Sequence, residues 1–359
     1  MSTFSGEIIE IPGIAVDNFT NDSVKCFFLS HCHTDHLIGI KDLSNSELPI
    51  YTTELSAMIL KTQYPDLNVK SIEIGVPTNF ELEIDSKHET KFIVTLINGG
   101  HCIGSCMFLF QTEEHDILYT GDFRFTLKDV ENIQILKDAK IYGKLKIYLD
   151  TTFMKNEYKN FPRQKDSCQK VVEIVQNHLG QSQMNKVMLQ TSARYGYERL
   201  LIQLYEKLNE KIFVANKKVM EQYLMISEIS KCITTSKSYS RLHLNTGSEE
   251  NHDVEKHREN YLKIHLSAMF WTNWNESLPF IYKVEKNNFR VCYATHCSLS
   301  EIKDILYYLK PLSIYPTVLP EKSNERTKMF TLIDEIINSY NDKKTETKER
   351  FSFKRLKTS

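Results

Sequence analysis

The sequence predicts a layered α/β protein made of two structural units. Short apolar runs that end in polar loops are concentrated in residues 1–150, as expected of strands buried in a layered core. Residues 155–280 alternate strand-like and helix-like segments, which is the rhythm of a parallel α/β unit. A length of 359 residues accommodates two such units.

The segments follow in order from their patterns. In the first unit we expect strands at Lys25–Ser30, Lys91–Asn98, Ser105–Gln111, Asp116–Gly121 and Lys146–Asp150, and a helix at Thr53–Tyr64. In the second unit we expect helices at Arg163–Leu179 and Tyr195–Asn209, and strands at Lys186–Gln190 and Lys211–Asn216.

The remaining segments include one long loop and a charged tail. Residues 245–260 are polar and charged and predict a loop. A strand at Phe289–Thr295 and a helix at Ser298–Leu309 follow. Residues 341–359 are basic and poor in apolar side chains, so we expect a disordered tail.

Composition excludes several classes of protein. Lys and Arg number 45 against 46 Asp and Glu, so the net charge of −1 gives no general support for nucleic-acid binding, and any basic surface must be local. No apolar run approaches the roughly 18–20 residues that span a bilayer. The first residues, MSTFSGEIIEIPG, have no signal-peptide pattern, so we expect the eight cysteines to be reduced thiols.

A dense cluster of potential metal ligands follows the first of these strands. Residues 31–36 read HCHTDH, which places three imidazoles and one carboxylate in six positions. Zinc prefers these ligand types, although a polar surface loop is the plainer interpretation. The triplets Gly99-Gly100-His101 and Gly121-Asp122-Phe123 follow later strands. Each triplet alone is typical of a turn, but in this order they predict a metal site.

In series, these three motifs resemble those of hydrolases with the metallo-β-lactamase fold. The segments YLDTTF at 148–153 and CYATHCSLSEIKDIL at 292–306 resemble the β-CASP branch of that family, whose members process nucleic acids. The resemblance extends from residue 1 to about residue 320. It implies a metallo-β-lactamase αββα sandwich formed by residues 1–154 and 281–340, with a β-CASP α/β domain inserted at 155–280.

The same resemblance implies the metal ligands. A first site would use His31, His33, His101 and Asp122, and a second site Asp35, His36, Asp122 and His296, with Asp122 bridging. The implied cofactor is zinc, as one or two ions, with magnesium or manganese as alternatives in the second position.

The resemblance also implies which side chains act in catalysis. The implied catalytic residues are Asp17, Asp35, Asp122, Asp150 and His296. Asp17 would support the ligands, and Asp150 would contact the scissile phosphate region or take part in proton transfer. From the residues alone, Asp150 equally fits a helix cap, because Thr151 and Thr152 follow it.

Four residues of the second unit are candidate substrate contacts. Tyr195, in the segment YGYE, would stack on an unpaired base, although a buried aromatic at a helix start explains it equally well. Arg194, Lys217 and Lys218 would contact phosphates, or else they are solvated surface charges.

The sequence departs from its relatives at several positions. Ser192 occupies a position where the DNA repair nucleases of this branch have lysine. Ala294 replaces a serine that the related exonucleases use for terminal-phosphate binding, which weakens an interpretation as a 5′-phosphate-dependent exonuclease.

A structural zinc site of the inserted domain is the third departure. Relatives hold this ion with two histidines and two cysteines. Here Cys232 and His243 match two positions, but Asn245 stands where a cysteine is expected. His252 or His257 would complete a variant site, and loss of the site is the alternative.

The resemblance implies a zinc-dependent DNA endonuclease that opens hairpins and trims overhangs during double-strand-break repair by non-homologous end joining in the nucleus. The expected substrate is DNA with hairpins, single-strand/double-strand junctions or overhangs, and no membrane partner is expected. Relatives dock an end-joining kinase or ligase through a tail that is absent from this sequence. The alternatives are a 5′-to-3′ DNA exonuclease of the interstrand-crosslink-repair type, a small-molecule metallo-hydrolase, a scaffold without catalysis, and an RNA-processing enzyme.

Overall fold

The computed structural model describes residues 2–44, 46–246 and 260–355. Its first unit contains two sheets. The smaller sheet is parallel and has the strand order β1 (Ile14–Val16), β2 (Cys26–Phe28), β3 (Ile50–Thr52), β4 (Val69–Ser71). The larger sheet contains β5 (Thr78–Glu83), β6 (Glu89–Asn98), β7 (Cys106–Gln111), β8 (Asp116–Tyr119), β9 (Leu145–Leu149) and β17 (Ser313–Pro316), in the order β17-β9-β8-β7-β6-β5.

The two sheets pack face to face through aromatic side chains. Phe28 of β2 lies 5.4 Å from Phe108 and 5.1 Å from Phe110 of β7 between ring centroids, and both contacts are edge-to-face. All three rings are fully buried. Aromatic rings in this arrangement attract each other beyond their burial of apolar area, so this layer holds the sandwich together.

Helices cover both outer faces of the sandwich. Helix α1 (Glu54–Gln63) packs on the smaller sheet, with Leu60 in the same apolar cluster as Phe27. Helices α2 (Leu127–Glu131), α3 (Gln134–Tyr142), α8 (Leu299–Leu309) and α9 (Ser323–Arg355) cover the larger sheet. The expected αββα sandwich is therefore confirmed.

The second unit is built on a seven-stranded sheet. Its strands are β10 (Lys186–Thr191), β11 (Ile212–Val214), β12 (Ile233–Thr234), β13 (Leu242–Thr246), β14 (Tyr261–Leu266), β15 (Ile281–Glu285) and β16 (Asn288–Val291), in the order β12-β11-β13-β10-β14-β16-β15. The strands are parallel except for the pairing of β15 with β16. The helices are α4 (Gln164–Gln181), α5 (Glu198–Leu208), α6 (Lys217–Leu224) and α7 (Ser227–Ser230).

Several segments differ from their expected bounds. Helix α5 begins at Glu198 rather than Tyr195, because Gly196 has a φ of +107°, which is incompatible with a right-handed helix. Strand β16 ends at Val291 rather than Thr295. Helix α9 continues to Arg355, where a disordered tail was expected; this stretch contains no Gly or Pro to end a helix. Most of the expected loop, residues 247–259, lies outside the described residues.

The division of the chain into domains stays a prediction. Strands β15 and β16 follow the expected boundary at residue 280 and yet pair within the seven-stranded sheet. Sheet membership would therefore move that boundary to Val291.

Two segments connect the units, one after β9 and one after β16, and they lie side by side. The buried Arg124 guanidinium joins them by donating to the carbonyl oxygens of Ala294 at 2.7 Å and Pro162 at 2.9 Å, with Glu301 3.4 Å away. Because both connections bond to one side chain, the units are held together at this point.

Among the described residues, no helix combines the length and the apolar character that a membrane crossing requires.

Candidate metal centre

The predicted metal-binding side chains meet at one edge of the sandwich, where several strands end. Residues 31–36 follow β2, and the 3₁₀ turn Thr34–His36 turns Asp35 and His36 back towards the sheet. His101 follows β6, Asp122 follows β8, and His296 lies just before α8. Distant parts of the sequence thus converge because their strands end at the same edge.

Four side chains surround one position. His33 Nδ1 lies 3.0 Å from His31 Nε2 and 3.1 Å from His101 Nε2. The Oδ2 atom of Asp122 lies 3.5 Å from His31 Nε2 and 3.6 Å from His101 Nε2. Tetrahedral zinc with bonds of about 2.0 Å would separate its ligand atoms by about 3.3 Å, so this donor set fits a zinc ion.

A second group shares Asp122 with the first. The Oδ2 atom of Asp122 lies 3.4 Å from His36 Nε2 and 4.0 Å from His296 Nε2. The Oδ2 atom of Asp35 lies 4.0 Å from His36 Nε2. One carboxylate oxygen therefore faces both groups, which is the position of a bridging ligand.

Four of the five histidines are oriented by a hydrogen bond on the ring nitrogen that faces away from these groups. His31 Nδ1 lies 3.0 Å from Ser30 Oγ, and His101 Nδ1 lies 2.9 Å from the Thr295 carbonyl oxygen. The two remaining contacts are to carboxylates, His36 Nδ1 to Asp17 and His296 Nδ1 to Asp150, each at 2.8 Å. Such contacts set the tautomer and orientation of a ligand.

Asp17 is a hub behind the second group. Its carboxylate is 2% exposed and accepts from the Ser30 N–H at 2.6 Å, the Ser30 hydroxyl at 2.5 Å and the Tyr119 hydroxyl at 2.8 Å, besides His36. Its φ of +56° is unusual for a non-glycine residue and marks a backbone bend directly after β1. Asp17 therefore positions other side chains and does not itself face the cleft.

The protonation of the histidines follows from burial and charge. Burial holds the pKa of His31 and of His33 well below the ordinary value, and that of His101 falls to about 4. These rings are therefore neutral at pH 7 and can offer a lone pair to a cation. Burial also opposes the charged form of His36 and His296, but the carboxylates beside them outweigh it. The pKa of His36 is raised well above its usual value, and that of His296 to about 9.

Asp150 does not contact a substrate, contrary to one of its two expected roles. It is 2% exposed and lies behind His296, bonded to that ring and to the N–H and hydroxyl of Thr152 at 2.9 and 2.6 Å. The contact with Thr152 agrees with the cap-like turn that its sequence neighbours suggest. Its position suits orientation of His296.

A cleft of about 470 Å³ opens over both groups, between the two units. It is lined from the first unit by Asp35, His101 and His296, and from the second unit by Ser192 and Arg194. Arg194 is the only Lys or Arg that lines this cleft within the described part of the chain. The interface thus combines metal-type ligands on one wall with neutral polar groups and one cation on the other.

The other expected substrate contacts lie elsewhere. Lys217 and Lys218 are exposed outside the cleft, and Lys217 Nζ lies 3.8 Å from Glu221. Tyr195 is 1% exposed, so it cannot stack on a base. Its ring instead stacks on His33, with centroids 5.9 Å apart and planes 13° from parallel.

The expected structural zinc site is not assembled among the described residues. No group of three or more potential ligands there includes Cys232 or His243. The Cys232 thiol contacts the Glu228 carbonyl oxygen, and His243 Nε2 contacts that of Ser240. His252 and His257 lie outside the described residues.

Sequence reasoning missed the residues that hold the histidines, Ser30, Tyr119 and Thr295. It also left open whether Cys102 binds metal. The Cys102 Sγ lies within 4.8 Å of the nitrogens of His31, His33 and His101, but burial raises the pKa of this thiol well above its usual value, which favours the protonated form.

Comparison with known proteins agrees with this geometry. Residues 227–322 match a family described as DNA repair metallo-beta-lactamase. The chain is 30% identical to Protein artemis of Gallus gallus over 95% of its length and 51% of that protein, and 32% identical to Protein artemis of Homo sapiens over 89% and 50%. It is 27% identical to the 5' exonuclease Apollo of Mus musculus over 88% and 55%. The chain thus spans about half the length of these relatives.

Proposed function

The chain is an Artemis-like protein of the metallo-β-lactamase/β-CASP family, and from that premise we propose that it is a metal-dependent DNA nuclease acting in DNA repair. The observation that carries the proposal is the convergence of His31, His33, His101 and Asp122 with separations close to those of zinc ligands. The description of the matched family supports repair of DNA as the setting. Action on DNA makes the nucleus the proposed location.

We propose zinc for the first group and zinc, magnesium or manganese for the second, which adds Asp35, His36 and His296. When bound, such ions would activate water as a nucleophile and neutralise the negative charge of the phosphodiester. The neutral imidazoles of the first group suit binding of the first ion.

The residues of the chain then divide into those that face the substrate and those that orient them. Asp17 fixes His36, and Asp150 holds the Nδ1 proton of His296, so both rings present Nε2 towards Asp122. Arg194 is the side chain best placed to pair with a phosphate on the far wall. No serine or cysteine nucleophile is required, so hydrolysis would proceed in one step without a covalent intermediate.

Within this class we propose an endonuclease that opens hairpins and trims overhangs for non-homologous end joining. Ala294, where related exonucleases have a serine, is 1% exposed and absent from the cleft wall. That arrangement disfavours recognition of a terminal phosphate there. End-joining kinases or ligases are the proposed partners.

A 5′-to-3′ exonuclease is the second candidate, because the chain is also similar to a protein named 5' exonuclease Apollo. The two candidates differ in the end they require. An exonuclease of that type begins at a free 5′ terminus, whereas an endonuclease cuts a hairpin that has none available.

The test uses the metal-loaded protein on two DNA substrates, with Asp122→Asn as the inactive control. One substrate is a hairpin whose 5′ end is chemically blocked, and the other is a 5′-phosphorylated single strand. Cleavage near the hairpin tip supports the endonuclease, and degradation of only the phosphorylated strand favours the exonuclease. Bound metal with hydrolysis of a thioester but of neither DNA would refute nuclease function and favour a small-molecule hydrolase.

A further inference from the structure

His33 differs from the other histidines of the centre in how its ring is held. His31, His36, His101 and His296 each have a hydrogen-bond partner on the ring nitrogen that faces away from Asp122 or its neighbours. The corresponding Nε2 atom of His33 is buried and, within the described part of the chain, has no hydrogen-bond partner. Something other than a hydrogen bond must therefore orient this ring.

The nearest aromatic ring on the face of His33 belongs to the second unit. The Tyr195 ring lies nearly parallel to it, 13° apart, at a centroid separation of 5.9 Å, which is within the range of offset stacking. The Tyr195 hydroxyl is held in turn by Gln222 on α6, and both side chains are buried. The tyrosine is thus fixed at one end and presents its ring to the histidine at the other.

The turn that carries Tyr195 also presses on the loop of His101. A Cβ atom at Gly196 would lie 3.1 Å from the His101 carbonyl oxygen and 3.0 Å from Thr295 Cγ2, and Thr295 supplies the carbonyl that holds His101. The buried Glu198 carboxylate accepts from the Gly196 N–H at 2.8 Å and from the Ile103 N–H, so it ties this turn to the same loop.

We propose that Tyr195 is a positioning residue that fixes the His33 ring for metal binding, so that the second unit completes a metal site whose ligands all come from the first. The inference deepens the proposed function and rests on it for the identity of the site as a metal centre. Tyr195 acts through His33 and does not touch the substrate, since it is buried outside the cleft wall.

The experiment measures zinc affinity by competition with a chelator, using the full chain. Tyr195→Phe keeps the ring and removes the hydroxyl, whereas Tyr195→Met fills the space without a flat ring. Tyr261→Met is the matched control, because Tyr261 is a buried tyrosine of β14 in the same unit that does not contact the five histidines.

We expect Tyr195→Met to weaken zinc binding at least about ten-fold, the usual effect of losing a group that orients a metal ligand. We expect Tyr195→Phe and Tyr261→Met to remain within about three-fold of the parent, because both leave the ring on His33 in place. The absorption spectrum of the cobalt-substituted protein is expected to change in Tyr195→Met alone, since it reports ligand geometry. Tyr195→Leu is measured in parallel, so that the comparison uses whichever ring-deleted variant retains the native circular dichroism.

Three results would overturn the inference. These are parental zinc affinity in a folded ring-deleted variant, an equal loss in Tyr261→Met, and an equal loss in Tyr195→Phe. Failure of the proposed function is distinguishable. If the parent binds zinc but cuts no DNA, the nuclease proposal fails while the role of Tyr195 is still decided by the zinc affinities.

Discussion

Replacing Asp17 by asparagine removes one charge from the interior while preserving side-chain shape. The carboxylate accepts four hydrogen bonds, with Oδ1 serving the Ser30 N–H and Oδ2 serving the Ser30 hydroxyl, His36 and Tyr119. An asparagine has only one accepting oxygen. If that oxygen takes the position of Oδ2, its NH₂ group faces the Ser30 N–H, and two donors oppose each other.

The expected cost follows from these contacts. Leaving the buried Ser30 amide without an acceptor costs about 2 kcal/mol, and replacing charged by neutral acceptors at the other three bonds costs about 1 kcal/mol after the relief of burying a charge. We therefore expect the free energy of unfolding to fall by about 3 kcal/mol. Tyr119→Phe removes one donor and leaves the charge, so we expect a loss of about 1.5 kcal/mol.

Urea unfolding of the metal-free protein measures this loss without a contribution from metal. Zinc affinity gives a second readout, which we expect to fall at least about ten-fold in Asp17→Asn because His36 loses its orientation. If Asp17→Asn unfolds within about 0.5 kcal/mol of the parent, the carboxylate is not the buried hub described above, and the reasoning is refuted.

Three further predictions test other parts of the molecule. Asp35→Asn or His36→Ala is expected to abolish DNA cleavage while circular dichroism stays unchanged; normal cutting by either would exclude a role for the second group. Ser298→Ala is expected to lower the free energy of unfolding by about 1 kcal/mol, because Ser298 and Glu301 form a capping box on α8, and urea unfolding measures it. Burial raises the pKa of Cys26 to about 12, so a thiol reagent at pH 8 should label this cysteine far more slowly in the native than in the denatured protein; equal rates would contradict its burial.

The metal centre could be anticipated because its side chains are concentrated in short motifs. Residues 31–36 carry four of the converging side chains in one turn, and glycines accompany His101 and Asp122 where their loops approach others closely. Gly121, for example, has a φ of +50°, and a Cβ there would lie 2.7 Å from Ser30 Cβ. Patterns of this kind are local in sequence and therefore visible without a structure.

The residues that hold the centre in place could not be anticipated in the same way. Thr295 acts through its backbone carbonyl, which every residue has, so its sequence carries no signal. Tyr119 sits in an apolar strand run, where a tyrosine is as common as any other aromatic. The base-stacking role of Tyr195 was wrong because burial depends on how the second unit packs on the first, which no short motif records.

The guanidinium of Arg124 has a mechanical consequence. Two adjacent stretches of chain join the units, and one side chain with 8% of its surface exposed bonds to both. A double attachment of this kind resists twisting and hinge-like opening far more than a single tether would. The slot between the units is therefore expected to keep a constant width, and a bound polymer would have to bend to suit the slot.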